Sequence, residues 1–286
     1  GIIDPSLEKL LDVDNTIDFA IVNYFTGEAD GAGGPGAAIT NNFFATYNRK
    51  TPDGFKFYEH DSEHSLDTGH YNNVKPNTSG SQFTRFNPIW LHQQLMANSE
   101  YQVRFADRVQ ELFYQDGILT HDNTRMLLDA RAAQIQTAII AESARWGDAN
   151  SGAPKTKNDW NGAVNGIRNW MTNRASTVIG QFKQAGWFPD LSTATFLING
   201  TPQHGGPINV ESELGLSGSQ GTTIYYTLDD SDPRMVGGEV SPHALTYDGP
   251  ITLTETTPVK ARIWDSTRDE SWSPLAAATF RVSTPP

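Results

Sequence analysis

The sequence predicts an α+β protein with two domains, a mainly helical domain followed by an all-β domain. Apolar residues recur at helical spacing in several segments before residue 186. After Pro189 this periodicity ends, and short β-rich runs bounded by Gly, Pro, Ser and Thr replace it. We therefore expect domains of residues 1–190 and 191–286, which suits a chain of 286 residues.

The composition excludes several classes of function. A formal net charge of −12 argues against a nucleic-acid partner. The absence of cysteine excludes disulfides, thiolate metal sites and cysteine nucleophiles. No run of about 18 apolar residues is present, so no membrane span is expected. The sequence has no signal peptide and begins with Gly1, which we interpret as the start of an excised piece of a longer protein.

The first domain is predicted to open with a helix and a β-hairpin. Asp14 is a suitable N-cap for the helix, which Gly27 ends. A glycine-rich loop follows from Asp30, without the features of a phosphate-binding loop. Two aromatic strands, residues 42–47 and 55–58, flank a Thr-Pro-Asp-Gly turn.

The rest of this domain is predicted to be a long polar loop followed by three helices. The loop covers about residues 68–88, and loops of this length are often functional. The helices are expected within residues 101–113, 122–140 and 160–182, where apolar stripes indicate buried faces. The stripe of the second helix includes Met126, Leu127 and Ile140.

The hairpin should bring together a group of oxygen ligands. Its geometry places Asn42, before the first strand, next to Asp61, after the second. Glu63 should point to the same face as Asp61, and Asp30 lies just before the hairpin. Carboxylate and amide oxygens suit Mg²⁺ or Ca²⁺. The alternative is that these carboxylates are solvated and that Asn42 only caps a strand.

Two histidines flank these acidic residues. His60 and His64 have the spacing of a transition-metal pair on a helix, but here they follow a strand. We therefore expect both to be partly buried and hydrogen-bonded.

Several segments of the first domain resemble the CotH family, the spore-coat protein H-like atypical kinases. They are DVDNTIDFAIVNYF (12–25), Asp30, NNFFATY (41–47) and GFKFYEHDSEHSL (54–66), and the later FADRVQ (105–110) and ESARWG (142–147) add to them. The resemblance covers about residues 1–189. It implies a kinase-like C-terminal lobe in a secreted or cell-surface bacterial protein that transfers phosphate from ATP to a protein substrate.

The resemblance also implies roles for individual residues. Asp30 would be the catalytic residue that orients or deprotonates the acceptor hydroxyl. Asn42 and Asp61 would hold Mg²⁺ against the phosphates of ATP, and Glu63 would be a further acid near the metal. The sequence departs from the family in its longer loop between Asp30 and Asn42 and in having His60 where the family has Trp.

A nucleotide-covering N-terminal lobe with a phosphate-clamping Lys or Arg has no counterpart before Asp30. We therefore expect the nucleotide to bind in the full-length protein, and this fragment alone to be inactive.

The second domain resembles the chitobiase C-terminal, or fibronectin-type-III-associated, β-sandwich module over about residues 195–283. This resemblance rests on runs such as TIYYTLDDSDPR (223–234) and VKAR (259–262) and implies an immunoglobulin-like accessory module. The acidic residues of 229–233 are expected to form a turn, with Ca²⁺ binding as the alternative. Trp264 and Trp272 are expected in the core or stacked on sugars.

Two other functions remain open at this point. The chain is alternatively a non-catalytic surface protein whose β-module binds polysaccharide or a neighbouring protein. It is also compatible with a Ca²⁺-stabilised structural protein that binds no nucleotide.

Overall fold

A computed structural model describes residues 9–33, 42–66, 72–74, 87–149, 152–268 and 271–283. The fold is α+β, as predicted. It has two compact units: Ser6–Leu95 with Leu112–Ala185, here called the helical unit, and Met96–Glu111 with Gly186–Pro286, here called the sandwich unit. The helices are α1 (Val13–Thr26), α2 (Pro88–Leu95), α3 (Ser99–Phe113), α4 (His121–Ile135), α5 (Ala138–Trp146), α6 (Lys157–Met171) and α7 (Arg174–Gln184).

Helix α1 is the central element of the helical unit. Its N-cap is Asp12, whose carboxylate accepts a hydrogen bond from the Asn15 backbone N–H at 3.1 Å, so the predicted cap at Asp14 is wrong by two residues. Gly27 ends the helix in the left-handed conformation, as predicted. Ile17 and other residues on its apolar face are fully buried.

The predicted hairpin is confirmed. Strands β1 (Phe43–Thr46) and β2 (Lys56–Glu59) pair antiparallel, with Phe43 opposite Glu59. Gly54 of the connecting turn has φ of 94°, and a Cβ there would lie 2.4 Å from the backbone of Leu11. Only glycine fits this position, so the turn holds the hairpin close to the residues that lead into α1.

The other helices differ from prediction in number and burial. Residues 122–140 form the two helices α4 and α5, and residues 160–182 form α6 and α7. Helix α2 was not predicted. Met126, Leu127 and Ile140 are 59%, 50% and 55% exposed, so the prediction that they belong to a buried stripe is wrong. The predicted loop at 68–88 lies mostly outside the described residues.

The sandwich unit contains two sheets packed around one core. The five-stranded sheet has the order β5-β11-β10-β7-β8, and the four-stranded sheet has the order β4-β3-β6-β9. Buried residues from both sheets, including Phe196, Leu214, Ile263 and Phe280, form the core. The strands are β3 (Thr195–Ile198), β4 (Thr201–Pro202), β5 (Gly206–Asn209), β6 (Ser212–Ser217), β7 (Thr223–Thr227), β8 (Leu245–Thr246), β9 (Ile251–Leu253), β10 (Thr257–Trp264) and β11 (Ala276–Ser283).

The acidic segment at residues 229–233 forms a turn. Asp229 accepts a hydrogen bond from the Ser231 backbone N–H at 3.0 Å, and Asp232 accepts one from the Arg234 backbone N–H at 2.9 Å, which confirms the predicted turn.

Most of α3 belongs to the sandwich unit, although it precedes Pro189. The division into domains at residue 190 therefore stays a prediction.

Membrane-spanning helices are absent from the described part of the chain, because none of its helices combines sufficient length with sufficient hydropathy.

Candidate functional site

Two segments of the helical unit run side by side after α1 and after β2. The backbone N–H of Leu66 donates to the Thr26 carbonyl at 2.8 Å, and that of Ala29 donates to the His64 carbonyl at 3.2 Å. These bonds bring Asp30 to the segment that follows β2. One ligand atom from each of Asp30, Glu63 and His64 lies within 4.8 Å of the others.

The predicted meeting of Asn42 and Asp61 is confirmed. Both residues have a positive φ, 54° and 55°, where the backbone turns at the end of the hairpin. The Asn42 carbonyl accepts from the His60 backbone N–H at 3.2 Å, and the Asn42 side-chain amide donates to the Asp61 carbonyl at 3.4 Å. Asn42 is 8% exposed, and Asp61 is exposed. Among the described residues, the Asp61 carboxylate does not belong to the group formed by Asp30, Glu63 and His64.

The two histidines are more exposed than expected. His60 lies at the surface with its ring 4.6 Å from that of Phe44, and the His64 side chain is 60% exposed. His64 Nε2 lies 3.4 Å from the Glu63 carboxylate. The expectation of partial burial was therefore wrong for both, and His64 joins the candidate site.

The structure adds three polar residues that were not predicted from the sequence: Asn23 and Glu28, which are buried, and Glu59, which is half-buried. Asn23 of α1 is fully buried, and its amide donates to the Phe19 carbonyl at 3.0 Å and to the Glu59 carboxylate. Glu28 is 1% exposed, and one of its carboxylate oxygens accepts from the Asp30 backbone N–H at 3.4 Å.

Local signals for two of these residues were present in the sequence. Glu59 shares a strand face with the buried Phe57, two residues earlier, so an inward direction was predictable. Asn23 lies four residues after Phe19, on the apolar face of α1. Glu28 follows the end of α1 and has no such signal.

These three residues and Asp30 each have one buried side-chain oxygen without a hydrogen-bond partner among the described residues. The four atoms are Oδ1 of Asn23, Oε2 of Glu28, Oδ1 of Asp30 and Oε2 of Glu59. Buried oxygens are normally paired, because leaving one unpaired costs about 1–3 kcal/mol. A set made only of oxygen atoms is the donor set that Mg²⁺ and Ca²⁺ prefer, so these residues fit the implied metal ion.

The pKa values and charges of these residues also favour a bound cation. Burial raises the pKa of Glu28 to about 7, and the neighbouring Asp30 contributes. Burial also raises the pKa of Glu59 to about 7, with a further contribution from the negative charge of Glu28. Among the described residues, no lysine or arginine forms an ion pair with Glu28, Asp30 or Glu59. The cluster is therefore short of positive charge, which a cation would supply.

Comparisons with known proteins identify the family of the chain. A family model described as CotH kinase protein matches residues 3–178, and a model described as Fn3 associated matches residues 213–273. No curated protein and no solved structure matches the chain. Residues 3–178 are more than half of the 286 residues, and they include every residue of the candidate site. The chain therefore belongs to the CotH kinase protein family.

Proposed function

We propose that the helical unit provides the metal-binding and acceptor-side residues of a CotH-type kinase, which transfers a phosphoryl group from ATP to a protein substrate. We also propose that the protein is bacterial and acts outside the cell or on its surface. The observation that carries the proposal is the cluster of unpaired, buried oxygens beside Asp30. Phosphoryl transfer depends mainly on positioning and on neutralising negative charge, so a site rich in metal ligands suits it.

The residues divide into two proposed roles. Asp30 accepts the proton of the acceptor hydroxyl, or orients that hydroxyl. Asn42, Asp61 and Glu63 hold Mg²⁺, with Ca²⁺ as the alternative ion. When bound, ATP would supply the phosphoryl group and Mg²⁺ would neutralise part of its negative charge.

Asn23, Glu28 and Glu59 extend the proposed metal site inward. Glu28 and Glu59 supply carboxylate oxygens, and the Asn23 amide holds Glu59 in place through its hydrogen bond. Removing Asn23 would therefore disturb the position of a carboxylate without removing a charge.

Titration calorimetry of Mg²⁺ and of Ca²⁺ into the chain tests the metal site. We expect saturable Mg²⁺ binding that Asp61→Ala and Glu63→Gln weaken at least about tenfold, or about 1.4 kcal/mol. The matched control is Asp129→Asn, an acid at the surface of α4 with a 43% exposed side chain. Equal Mg²⁺ affinity in all four proteins would contradict the site.

A second titration distinguishes the kinase from the two alternative functions, a Ca²⁺-stabilised structural protein and a non-catalytic surface protein. With Mg²⁺ present, we expect weak ATP binding that is lost in Asp61→Ala. Thermal stabilisation by Ca²⁺ but not by Mg²⁺ with ATP would instead indicate a Ca²⁺-stabilised structural protein. Metal binding without any ATP binding, even in the full-length protein, would favour a non-catalytic surface protein.

A further inference from the structure

The sandwich unit contains a cavity of about 360 Å³ between α3 and the five-stranded sheet with its connecting loops. This volume lies within the range of small-molecule sites. The residues that matter here are Glu100 and Asp107 of α3, Arg234, and three tryptophans, Trp187, Trp264 and Trp272. None of them belongs to the candidate metal site.

Each carboxylate in the cavity wall is paired with an arginine. Both terminal nitrogens of Arg234 donate to the Glu100 carboxylate at 2.8 Å, which lowers the pKa of Glu100 to about 2. Arg262, which is 1% exposed, donates to both oxygens of Asp107 at 2.8 and 2.7 Å. A cationic ligand would therefore meet carboxylates that are already paired, and an anionic ligand would compete with those carboxylates for the arginines. The cavity favours a neutral ligand.

The cavity wall also contains polar groups that can bind hydroxyls. The paired carboxylates of Glu100 and Asp107 keep lone pairs that can accept from ligand hydroxyls.

The tryptophans supply apolar faces in fixed positions. The Trp272 ring N–H donates to the Gly238 carbonyl at 2.7 Å, and its ring centroid lies 5.6 Å from that of Tyr225. Trp187 packs edge-on against Phe105 of α3 with centroids 6.1 Å apart. Rings held in this way lose little entropy when a ligand stacks on them.

We propose that this cavity binds a neutral saccharide. A sugar ring presents C–H groups to aromatic faces and hydroxyls to planar polar groups, which is the combination that the tryptophans and the two carboxylates offer. Because both carboxylates are already paired with arginines, the cavity disfavours a quaternary ammonium ion, which aromatic cages otherwise bind. A proline-rich peptide also binds aromatic surfaces, so it is a competing outcome of the test.

Saturation-transfer NMR and calorimetry on the whole chain test the proposal with cellobiose, maltose, xylobiose, mannobiose and N,N′-diacetylchitobiose. We expect at least one to bind with a Kd below about 1 mM. Trp272→Ala should weaken binding at least about tenfold, or about 1.4 kcal/mol. Val103→Phe, which fills the cavity without removing a hydrogen bond, should weaken it similarly. The matched control is Trp146→Ala, a tryptophan of α5 that is 54% exposed.

The outcomes separate clearly. Loss of binding in Trp272→Ala and Val103→Phe, with retention in Trp146→Ala, supports the proposal. If Trp272→Ala fails to fold in a thermal melt, Val103→Phe decides. Binding that neither variant changes would overturn it, as would no binding of any sugar at about 10 mM. Binding of tetramethylammonium or of a proline-rich peptide without any sugar would overturn it as well.

Discussion

Arg262 and Asp107 are 155 positions apart in the chain, yet they form a two-point ion pair in the sandwich unit. Asp107 lies on α3, and Arg262 lies on β10 with 1% of its side chain exposed. Asp232 pairs with the same guanidinium at 2.7 and 2.6 Å. Asp107 also accepts from the Leu275 backbone N–H at 2.7 Å. A buried arginine thus connects the sheet to α3 through Asp107 and to the turn after β7 through Asp232.

Replacing Asp107 with alanine should therefore destabilise the protein by about 3 kcal/mol, since it leaves a buried charge with one of its two partners. Urea unfolding measures this change. The control is Asp129→Ala, which breaks an ion pair with Arg168 whose side chains are 43% and 29% exposed, and which should cost about 1 kcal/mol or less. Equal losses of unfolding free energy in the two variants would show that burial does not set the cost of breaking these ion pairs.

A chain that ends at residue 190 should lose the order of α3. It would lack Arg234 and Arg262, the partners of Glu100 and Asp107. Hydrogen exchange should then show faster exchange for the amides of α3 than in the whole chain. If α3 were equally protected in both chains, the predicted division at residue 190 would be a true boundary of independent folding.

The part of the candidate site that was predictable rests on local geometry. Pairing two strands around a turn sets Asn42 next to Asp61 without any knowledge of the rest of the fold. Glu28 was not predictable, because its burial depends on how the segment after α1 runs beside the segment after β2. That contact joins residues far apart in sequence, and no periodic pattern of apolar residues predicts it.

Gly31→Ala tests the role of Glu28 without changing any charge. A methyl group at Gly31 would lie 2.4 Å from Cγ of Glu28, so that side chain must move. We expect Mg²⁺ affinity to fall at least about tenfold, or about 1.4 kcal/mol, measured by calorimetry.

The control is Gly162→Ala in α6, where a methyl group meets nothing within 4 Å. It should stabilise the helix by about 1 kcal/mol and leave Mg²⁺ affinity unchanged. Unchanged affinity in Gly31→Ala would exclude Glu28 from the metal site.

The exposed apolar residues of α4 show a limit of periodicity. A stripe at helical spacing indicates a common face, but it does not show whether another element covers that face. Leu127→Ser should therefore change stability by no more than about 0.5 kcal/mol, because Leu127 is 50% exposed. Ile17→Ala, at a fully buried position of α1, should cost about 2–5 kcal/mol. Urea unfolding of both variants compares them directly, and a loss of more than about 2 kcal/mol in Leu127→Ser would show that a partner covers this face.

His92 should make the helical unit sensitive to acid. It is fully buried, and burial lowers its pKa from 6.5 to about 3. Below pH 6.5 the unfolded chain binds a proton at this residue that the folded chain does not, so stability falls as the pH falls from 6.5 towards 3. Relative to His92→Gln, the unmodified protein should lose up to about 1.4 kcal/mol per pH unit in that range.

Urea unfolding of the two proteins at a series of pH values between 4 and 8 measures the difference, in which the contributions of all other groups cancel. Their free energies of unfolding should differ by a constant above pH 7 and converge as the pH falls. Parallel profiles across the whole range would show that His92 titrates alike in the folded and the unfolded protein.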